Sequence, residues 1–329
     1  QRIELKFIRQ IGELEGNNSN LQFYSPKDIA VDKSGNIYVL DGGNFRVQKL
    51  DPKGNFLMSF GSRGEGPGEF FYPLGIDVTE EGNIRVDDNN RAIEEFDQNG
   101  KYIKQIKFGG GKSFRKLNNG FFATDLLNIP SGDNRVYIRY TEYLADVYDE
   151  SANLVLSLGK RQNYDDPNMA VFAGDKYEIE TDYNGNYYLA FLAQNRIDKY
   201  SPDGKYLFRA SRELGFEESK EVKMLKAGRS SIAPYFNRFS NRINIDNKNR
   251  LWVETYRRTI TEDERVSPGS NDTSDILSLE IYDENGILLQ RLPWKYGKSR
   301  YIKRILNDRV FVIDKTDMCI YEYQILDKN

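Results

Sequence analysis

A repeat limits this 329-residue chain to few architectures. The segment from Pro26 to Asp41 realigns with Pro73 to Asp88, 47 residues later, and Pro, Ile, Val, Gly-Asn-Ile, Val and Asp recur in place. A chain repeating units of this size folds as a row or ring of like modules, each burying its apolar face against its neighbours. Within each copy apolar and polar residues alternate on both sides of a Gly-Asn turn. Each copy therefore reads as two short antiparallel strands.

A second hairpin follows each copy. Val47 to Leu50 and Phe56 to Gly61 flank Asp51-Pro52-Lys53-Gly54-Asn55; Ile93 to Phe96 and Tyr102 to Gly109 flank Asp97-Gln98-Asn99-Gly100-Lys101. In an Asp-x-x-Gly turn, type I geometry precedes a residue at positive φ, which glycine adopts without steric cost, and the Asp carboxylate accepts backbone N–H groups. Four strands per unit, here called a to d from first to last, make a propeller blade. Similar turns recur at Asn118-Asn119-Gly120, 149–153, 182–186, 201–205, 246–250, 283–286 and Asn307-Asp308. Ala152 stands where glycine is expected. A left-handed alanine costs about 1–2 kcal/mol, so a different turn is expected there.

The expectation is an all-β fold: a single-domain, six-bladed β-propeller of four-stranded antiparallel blades over residues 1–329. The blades span roughly 26–61, 73–109, 114–159, 176–210, 242–292 and 301–326. The last lacks a d strand, and residues 3–12 carry the apolar-plus-Gly ending of d strands (Ile11-Gly12, like Phe60-Gly61 and Leu158-Gly159). The N-terminal strand is therefore expected to complete the last blade and close the ring, leaving no open edge there. Lys6, Arg9, Lys101, Lys104 and Lys107 sit on outer strands, where charge discourages edge-to-edge pairing. Two segments depart from the pattern. Residues 214–226 carry charges and apolar groups at mixed helical spacing, and a short helix is expected. Residues 259–275 form a polar insertion within the fifth blade, long enough to be either floppy or functional.

Composition narrows the chemistry. The chain has no histidine and one cysteine, Cys319. That removes Ser-His-Asp and Cys-His catalysis, histidine metal sites, intrachain disulfides and cysteine zinc clusters. With 47 Lys and Arg against 50 Asp and Glu, the net charge of −3 lacks the basic excess of a nucleic-acid binder, so no nucleic-acid partner is expected. No stretch approaches a membrane span. The start, Gln1-Arg2-Ile3-Glu4, is no signal peptide, and a trimmed precursor is one account of it.

Candidate sites follow from the blade positions. An Asp ends strand b at Asp41, Asp88, Asp125 and Asp314, with Phe191 and Thr255 in the remaining two blades. Converging carboxylates suit Ca²⁺ or Mg²⁺ and would allow metal-dependent hydrolysis or elimination without histidine. The plainer account, favoured because the Asp recurs blade by blade, is that each accepts hydrogen bonds in its own b–c turn. Arg46, Arg91 and Arg196 follow the same turns. They could bind an anionic ligand or form an inter-blade ion-pair belt with the Asp residues, and the alternating charges favour the belt. Tyr235 and Trp294, with Phe236 and Tyr296, could form an aromatic ligand patch, although packing between blades accounts for them too. The Gly61 to Gly68 loop joins two strands and opens no helix, so it reads as a d-to-a connection and not a phosphate cradle. Trp252 and Cys319 read as core.

Ile37-Tyr38-Val39-Leu40-Asp41-Gly42-Gly43-Asn44-Phe45-Arg46-Val47-Gln48-Lys49-Leu50-Asp51 closely resembles an NHL repeat. Phe60-Gly61-Ser62-Arg63-Gly64-Glu65-Gly66-Pro67-Gly68-Glu69-Phe70 is similar to a segment of bacterial six-bladed NHL-type propellers, many of them exported and lipid-anchored. The resemblance implies the fold, an extracytoplasmic location (periplasm, cell surface or secreted) and a lipid anchor in the precursor. A rigid ring with variable loops, no catalytic triad and no cofactor motif points to a non-catalytic scaffold for a protein, peptide or glycan that requires no cofactor, with the Ca²⁺- or Mg²⁺-dependent enzyme as the alternative. Amidating and streptogramin lyases of this broad fold rely on histidine, which this chain lacks.

Overall fold

The computed structural model describes residues 2–13, 18–88, 92–107, 115–116, 122–124, 127–130, 136–139, 142–149, 153–227, 231–266, 275–293 and 300–328. The described fold is an all-β propeller of four-stranded antiparallel blades. Pro26–Val31, Ile37–Asp41, Arg46–Leu50 and Phe56–Phe60 pair in chain order as the first. Pro73–Val78, Ile84–Asp88, Ala92–Phe96 and Tyr102–Lys107 make the second. Arg115–Lys116, Phe122–Thr124, Tyr143–Tyr148 and Leu154–Lys160 follow in the same order. Tyr177–Thr181, Tyr187–Phe191, Ile197–Tyr200 and Tyr206–Ala210 come next, then Ser240–Ile245, Leu251–Tyr256, Leu277–Tyr282 and Leu288–Pro293.

Arg300–Leu306, Arg309–Asp314 and Cys319–Lys328 form the closing sheet, and the N-terminal strand Arg2–Ile11 completes it. Its register runs from Arg2 opposite Lys328 to Ile11 opposite Ile320, where the d-strand signature placed it. Within a blade, strands b and c are packed on both faces by neighbouring blades. Every residue of Ile37–Asp41 and Tyr187–Phe191 is buried, whereas the outer strand Phe56–Phe60 is half exposed.

The core is a set of wedges between consecutive sheets. Ile76, Val86 and Phe70 pack on Tyr38 and Leu40. Phe311 and Ile313 of the closing sheet pack on Ile29 and Val39. Leu279 and Trp252 meet Ile302, Val312 and Ile3. Tyr188 and Ile197 meet Ile243 and Val253, and Leu144 and Val147 meet Ile179 and Leu189. The innermost strands 73–78, 26–31, 300–306, 240–245 and 177–181 are accordingly in contact one with the next. The remaining step falls at Arg115–Lys116, whose side chains are not described.

The turns form as their chemistry dictates. Gly35, Gly54, Gly100, Gly185, Gly204 and Gly286 have φ between +74° and +89°, and Asn249 takes the same region at +57°. Asp51 Oδ1 accepts from Lys53 N and Asn55 N, both at 2.8 Å, and Asp97, Asp182, Asp246 and Asp283 repeat the pattern. Asp149 and Asn153 make the same closing bonds, although Ala152 lies outside the described residues. Asp246 does more than its counterparts: its second oxygen accepts Arg250 Nε at 2.7 Å and Trp252 Nε1 at 2.9 Å in full burial. Asp246→Ala should therefore cost about 2–3 kcal/mol, by taking the acceptor from a buried indole N–H and one of two carboxylates from the buried Arg250, which keeps Asp327. Asp283→Ala, which loses only turn bonds, should cost about 1 kcal/mol. Equal urea midpoints for the two variants would overturn this ranking.

One expectation needs correcting. No helix forms over 214–226: Lys223–Ala227 is a strand hydrogen-bonded to Ser231–Tyr235 as a two-stranded hairpin. Val222 is buried in a small apolar cluster, with its N–H held by Asp166, so tertiary anchoring overrides a weak helical pattern. Within the 259–275 insertion a one-turn helix, Glu262–Val266, is held by Arg258, which pairs with both Glu264 and Asp275. Residues 267–274 lie outside the described residues. Trp252 and Cys319 are core, as expected. No helix among the described residues is long and apolar enough to cross a membrane.

Candidate binding face

In a blade wound a to d, the b–c turns and the connections to the next blade emerge at one end of the ring. That end is the connector face. Asp41, fully buried at the end of its b strand, accepts Tyr24 N at 2.7 Å, Asn44 Nδ2 at 2.8 Å and Arg46 Nε at 2.9 Å. Burial pushes its carboxyl above the usual range against these bonds. Asp88 accepts Phe71 N and Tyr72 N at 2.7 and 2.5 Å, and Asp314 accepts Thr316 N and Asp317 N in its own turn. Asp41 and Asp314 thus accept bonds within their own b–c turns. In two blades the repeated Asp fastens the preceding connector, which the sequence reading did not foresee. Asp125 lies outside the described residues, and among those described no three His, Cys, Asp or Glu side chains are grouped to hold a metal ion.

Where the repeat has Thr255 instead of Asp, the connector supplies the anchor. Arg212 is buried and donates to Phe239 O, Thr255 Oγ1, Ser240 Oγ and Asn195 Oδ1. Sequence reasoning passed over Arg212. The missing Asp at this position was the available signal, because something else had to hold that connector.

The inter-blade belt is not what Arg46 and Arg196 make. Arg46 pairs with Asp41 of its own blade and donates to Gln22 O. Arg196 pairs with Asp198 two residues on, bonds Gln194 and stacks 3.8 Å above the Phe191 ring. Their partners are adjacent on the same sheet, so the pairs close locally; Arg91 lies outside the described residues. Charge pairs that do join blades were not anticipated; Arg250 and Asp327 tie the fifth sheet to the closing one, and a second pair lies at the hub. Asp28 on the first inner strand receives Arg304 of the closing sheet through two bonds, at 3.0 and 2.8 Å, and Ile76 N of the second sheet at 3.1 Å. Burial works to raise the Asp28 pKa, but Arg304 and Lys303 outweigh it and hold the carboxyl below its usual range. Asp87 beside it is pushed up to about 7, by burial and then by the charges of Asp88 and Asp28.

Anchoring of the connectors has a consequence at the surface. Tyr24, Phe71 and Tyr72 carry the pinned N–H groups, yet the residues are 60%, 51% and 52% exposed. Lys27 Nζ sits 5.8 Å from the Tyr72 ring centre, and the Arg63 guanidinium lies 5.3 Å over the Phe45 ring. In the neighbouring glycine loop Gly66 N donates to Glu69 Oε2 and Gly64 N to Phe70 O, so these N–H groups are used within the loop. Tyr235 lines a separate cleft of about 710 Å³ with Asp165, Asp166, Ser219, Lys220, Glu221 and Lys223. Phe236 is buried and so is not part of an exposed patch, and Trp294 and Tyr296 lie outside the described residues.

Comparison with known proteins agrees with this geometry. Residues 23–50 match the NHL repeat. The chain contains an NHL repeat. A 90-residue stretch is 34% identical to a Caenorhabditis elegans protein named "Probable peptidyl-alpha-hydroxyglycine alpha-amidating lyase", covering 26% of each chain. The matched stretches span about a quarter, or less, of the length of the curated relatives. Among solved structures, a member of the DUF4221 family from Bacteroides vulgatus superposes with a TM-score of 0.60 at 11% identity over 99% of both chains. A Bacteroides fragilis protein described as exported superposes with a TM-score of 0.56 at 11% identity, over 99% of this chain and 96% of that one. At that identity the likeness is one of fold.

Proposed function

We propose that this chain is a non-catalytic, six-bladed binding propeller that takes a protein or peptide partner on its connector face outside the cytoplasm. The observation that carries the reading is the display of Tyr24, Phe71 and Tyr72 on connectors whose backbones Asp41 and Asp88 immobilise. Large aromatic rings on a rigid backbone bury much surface on binding at little entropic cost. Backbone strain supports the same face. Ser25, Phe45 and Met318 hold positive φ there without being glycine or asparagine, and such strain concentrates at functional sites. The histidine-free composition keeps the histidine chemistry of lyases with this fold out of reach. The likeness to an exported Bacteroides protein supports the location, and the six four-stranded sheets among the described residues support the blade count.

The test is selection from a displayed random-peptide library against the full chain. Selected peptides should lose about tenfold or more in affinity to Tyr24→Ala/Tyr72→Ala, since aromatic hot spots contribute ~2 kcal/mol or more. Tyr183→Ala, exposed at an a–b turn on the opposite face, should bind as the parent does. Peptides that bind the double variant and the parent alike would overturn the reading.

A further inference from the structure

The six blades protect their outer edges in the same way. Pairing of strand d with strand c skips one residue near the c–d turn: Leu57, Ile103, Val155, Leu207 and Leu289 in successive sheets, and Ile8 in the closing sheet. All six are aliphatic, and all are 42–51% exposed. A bulge breaks the row of backbone donors and acceptors that an edge otherwise offers, so a foreign strand cannot run along it.

The hairpin of Lys223–Ala227 and Ser231–Tyr235, in the connector between the fourth and fifth sheets, lacks that protection. It pairs over all five residues without a bulge. Its two edges differ. Pro234 has no N–H, and its carbonyl accepts Arg265 Nε at 2.8 Å from outside the ladder. Pro234 therefore turns its carbonyl away from the hairpin, and in an antiparallel pair the residue opposite does the same with both its polar groups. That residue is Met224, and Lys226, opposite Ile232, repeats the arrangement. The N–H and C=O groups of Met224 and Lys226 thus line the far edge. Both residues are exposed, and no hydrogen bond joins these groups to the described residues.

We propose that this edge receives an extended strand of a partner peptide by backbone pairing, with an apolar residue of the strand over Met224 and an acidic one beside Lys226. This surface goes beyond the aromatic face of the proposed function and does not rest on it. The template is held in place from both sides. Val222 at its base is buried in an apolar cluster with its N–H on Asp166, and Arg265 clamps the opposite edge. A strand already straight and fixed adds another at small entropic cost. Met224, Lys226 and Ile232 share one face of the hairpin, and Met224 and Ile232 are 39% and 64% exposed. Lys226 has no ion pair among the described residues, whereas Lys223 meets Glu262 at 3.5 Å. Pairing with a second copy of the hairpin would gather four lysines into one sheet, which disfavours self-association. The cleft beside Tyr235 opens at the Lys223 end of the same strand and gives an added chain room to run on.

The experiment titrates a labelled heptapeptide, Thr-Val-Thr-Glu-Thr-Val-Thr, with the full chain and follows fluorescence anisotropy. Its Val-Glu-Val face fits either strand direction. Saturable binding is expected, weakened about tenfold or more when Glu and the next Thr are N-methylated, since neighbouring N-methyl groups remove a donor from each edge of the peptide. Met224→Pro removes an outward donor and no hairpin bond, and should weaken binding by about tenfold as well. Lys226→Glu should reverse the preference toward the peptide with Lys in place of Glu. Tyr24→Ala/Tyr72→Ala should bind as the parent does. Unchanged melting temperatures would show that the variants fold. No saturable binding up to about 1 mM, equal affinity for the N-methylated peptide, or a Glu preference that survives Lys226→Glu would overturn the proposal. So would loss of binding in the Tyr24/Tyr72 variant, which would move the peptide to the aromatic patch. A dimer in sedimentation that Met224→Pro dissolves would give the edge to a second copy and overturn it too.

Discussion

Asp28→Asn should be among the most damaging single substitutions in the molecule. The carboxylate joins three blades: it pairs with Arg304 of the closing sheet, accepts Ile76 N of the second, and belongs to the first. Both partners are largely buried, Asp28 fully and Arg304 to 17% side-chain exposure. Removing one member of such a pair leaves a charge in a poor solvent, and typical costs are about 3–5 kcal/mol. The expected result is a lowered urea midpoint and melting temperature, with Arg304→Ala similar and the double variant much less than additive. Because the pair helps seat the closing sheet against the first, the loss should also expose the N-terminal strand to proteolysis. A shift within about 0.5 kcal/mol of the parent would show that the pair does not hold the ring.

Asp87→Asn should act in the opposite direction and only on one side of a pH window. Asp87 is raised to about 7 in the folded chain, by burial and then by the neighbouring Asp88 and Asp28 charges, against Lys303. Unfolded, it titrates near 3.9. Between those values the folded state binds more protons than the unfolded one, so this group lowers stability as pH rises from about 4 to about 7. The penalty is then fully present above 7, on the order of 2–4 kcal/mol before allowance for partial exposure. The amide that replaces the carboxyl cannot ionise. The variant should therefore match the parent near pH 4 and exceed it by several degrees in melting temperature at pH 8. Glu254, also raised to about 7 by burial, contributes the same slope and remains in the variant, so the decline should flatten without vanishing. Asp28, held low, has the reverse sign, and its contribution is lost only in acid. A variant whose melting temperature tracks the parent at every pH would refute the assignment.

Much of the fold was legible because its signals are local. A glycine at positive φ after Asp-x-x, alternation on either side of it, and an apolar-Gly ending to strand d each describe a few adjacent residues, and they recur often enough to be aligned. Even the closing strand at residues 2–11 declared itself, since it carries the ending that the C-terminal unit lacks. The bulges of the inner strands, where pairing with strand b skips Lys27 in the first sheet and Lys303 in the closing sheet, were not legible. A skipped residue such as Lys27 or Lys303 leaves no mark in a pattern of period two that is only six or seven residues long. The roles of the charges were partly hidden for the same reason. Asp41 and Arg46 are five residues apart and pair, as a turn motif would suggest. Asp28 and Arg304 are 276 residues apart, and nothing in either neighbourhood names the other.

The module was written into the residue order: four strands, their turns, the rhythm of their burial and the strand that completes the last sheet. All of that follows from backbone preferences and side-chain alternation within a hairpin. Which carboxylates fasten a connector and which charge pairs tie one blade to the next emerged only on folding. Those outcomes depend on how the sheets are arranged about an axis, and a propeller brings together side chains that the chain itself keeps hundreds of residues apart.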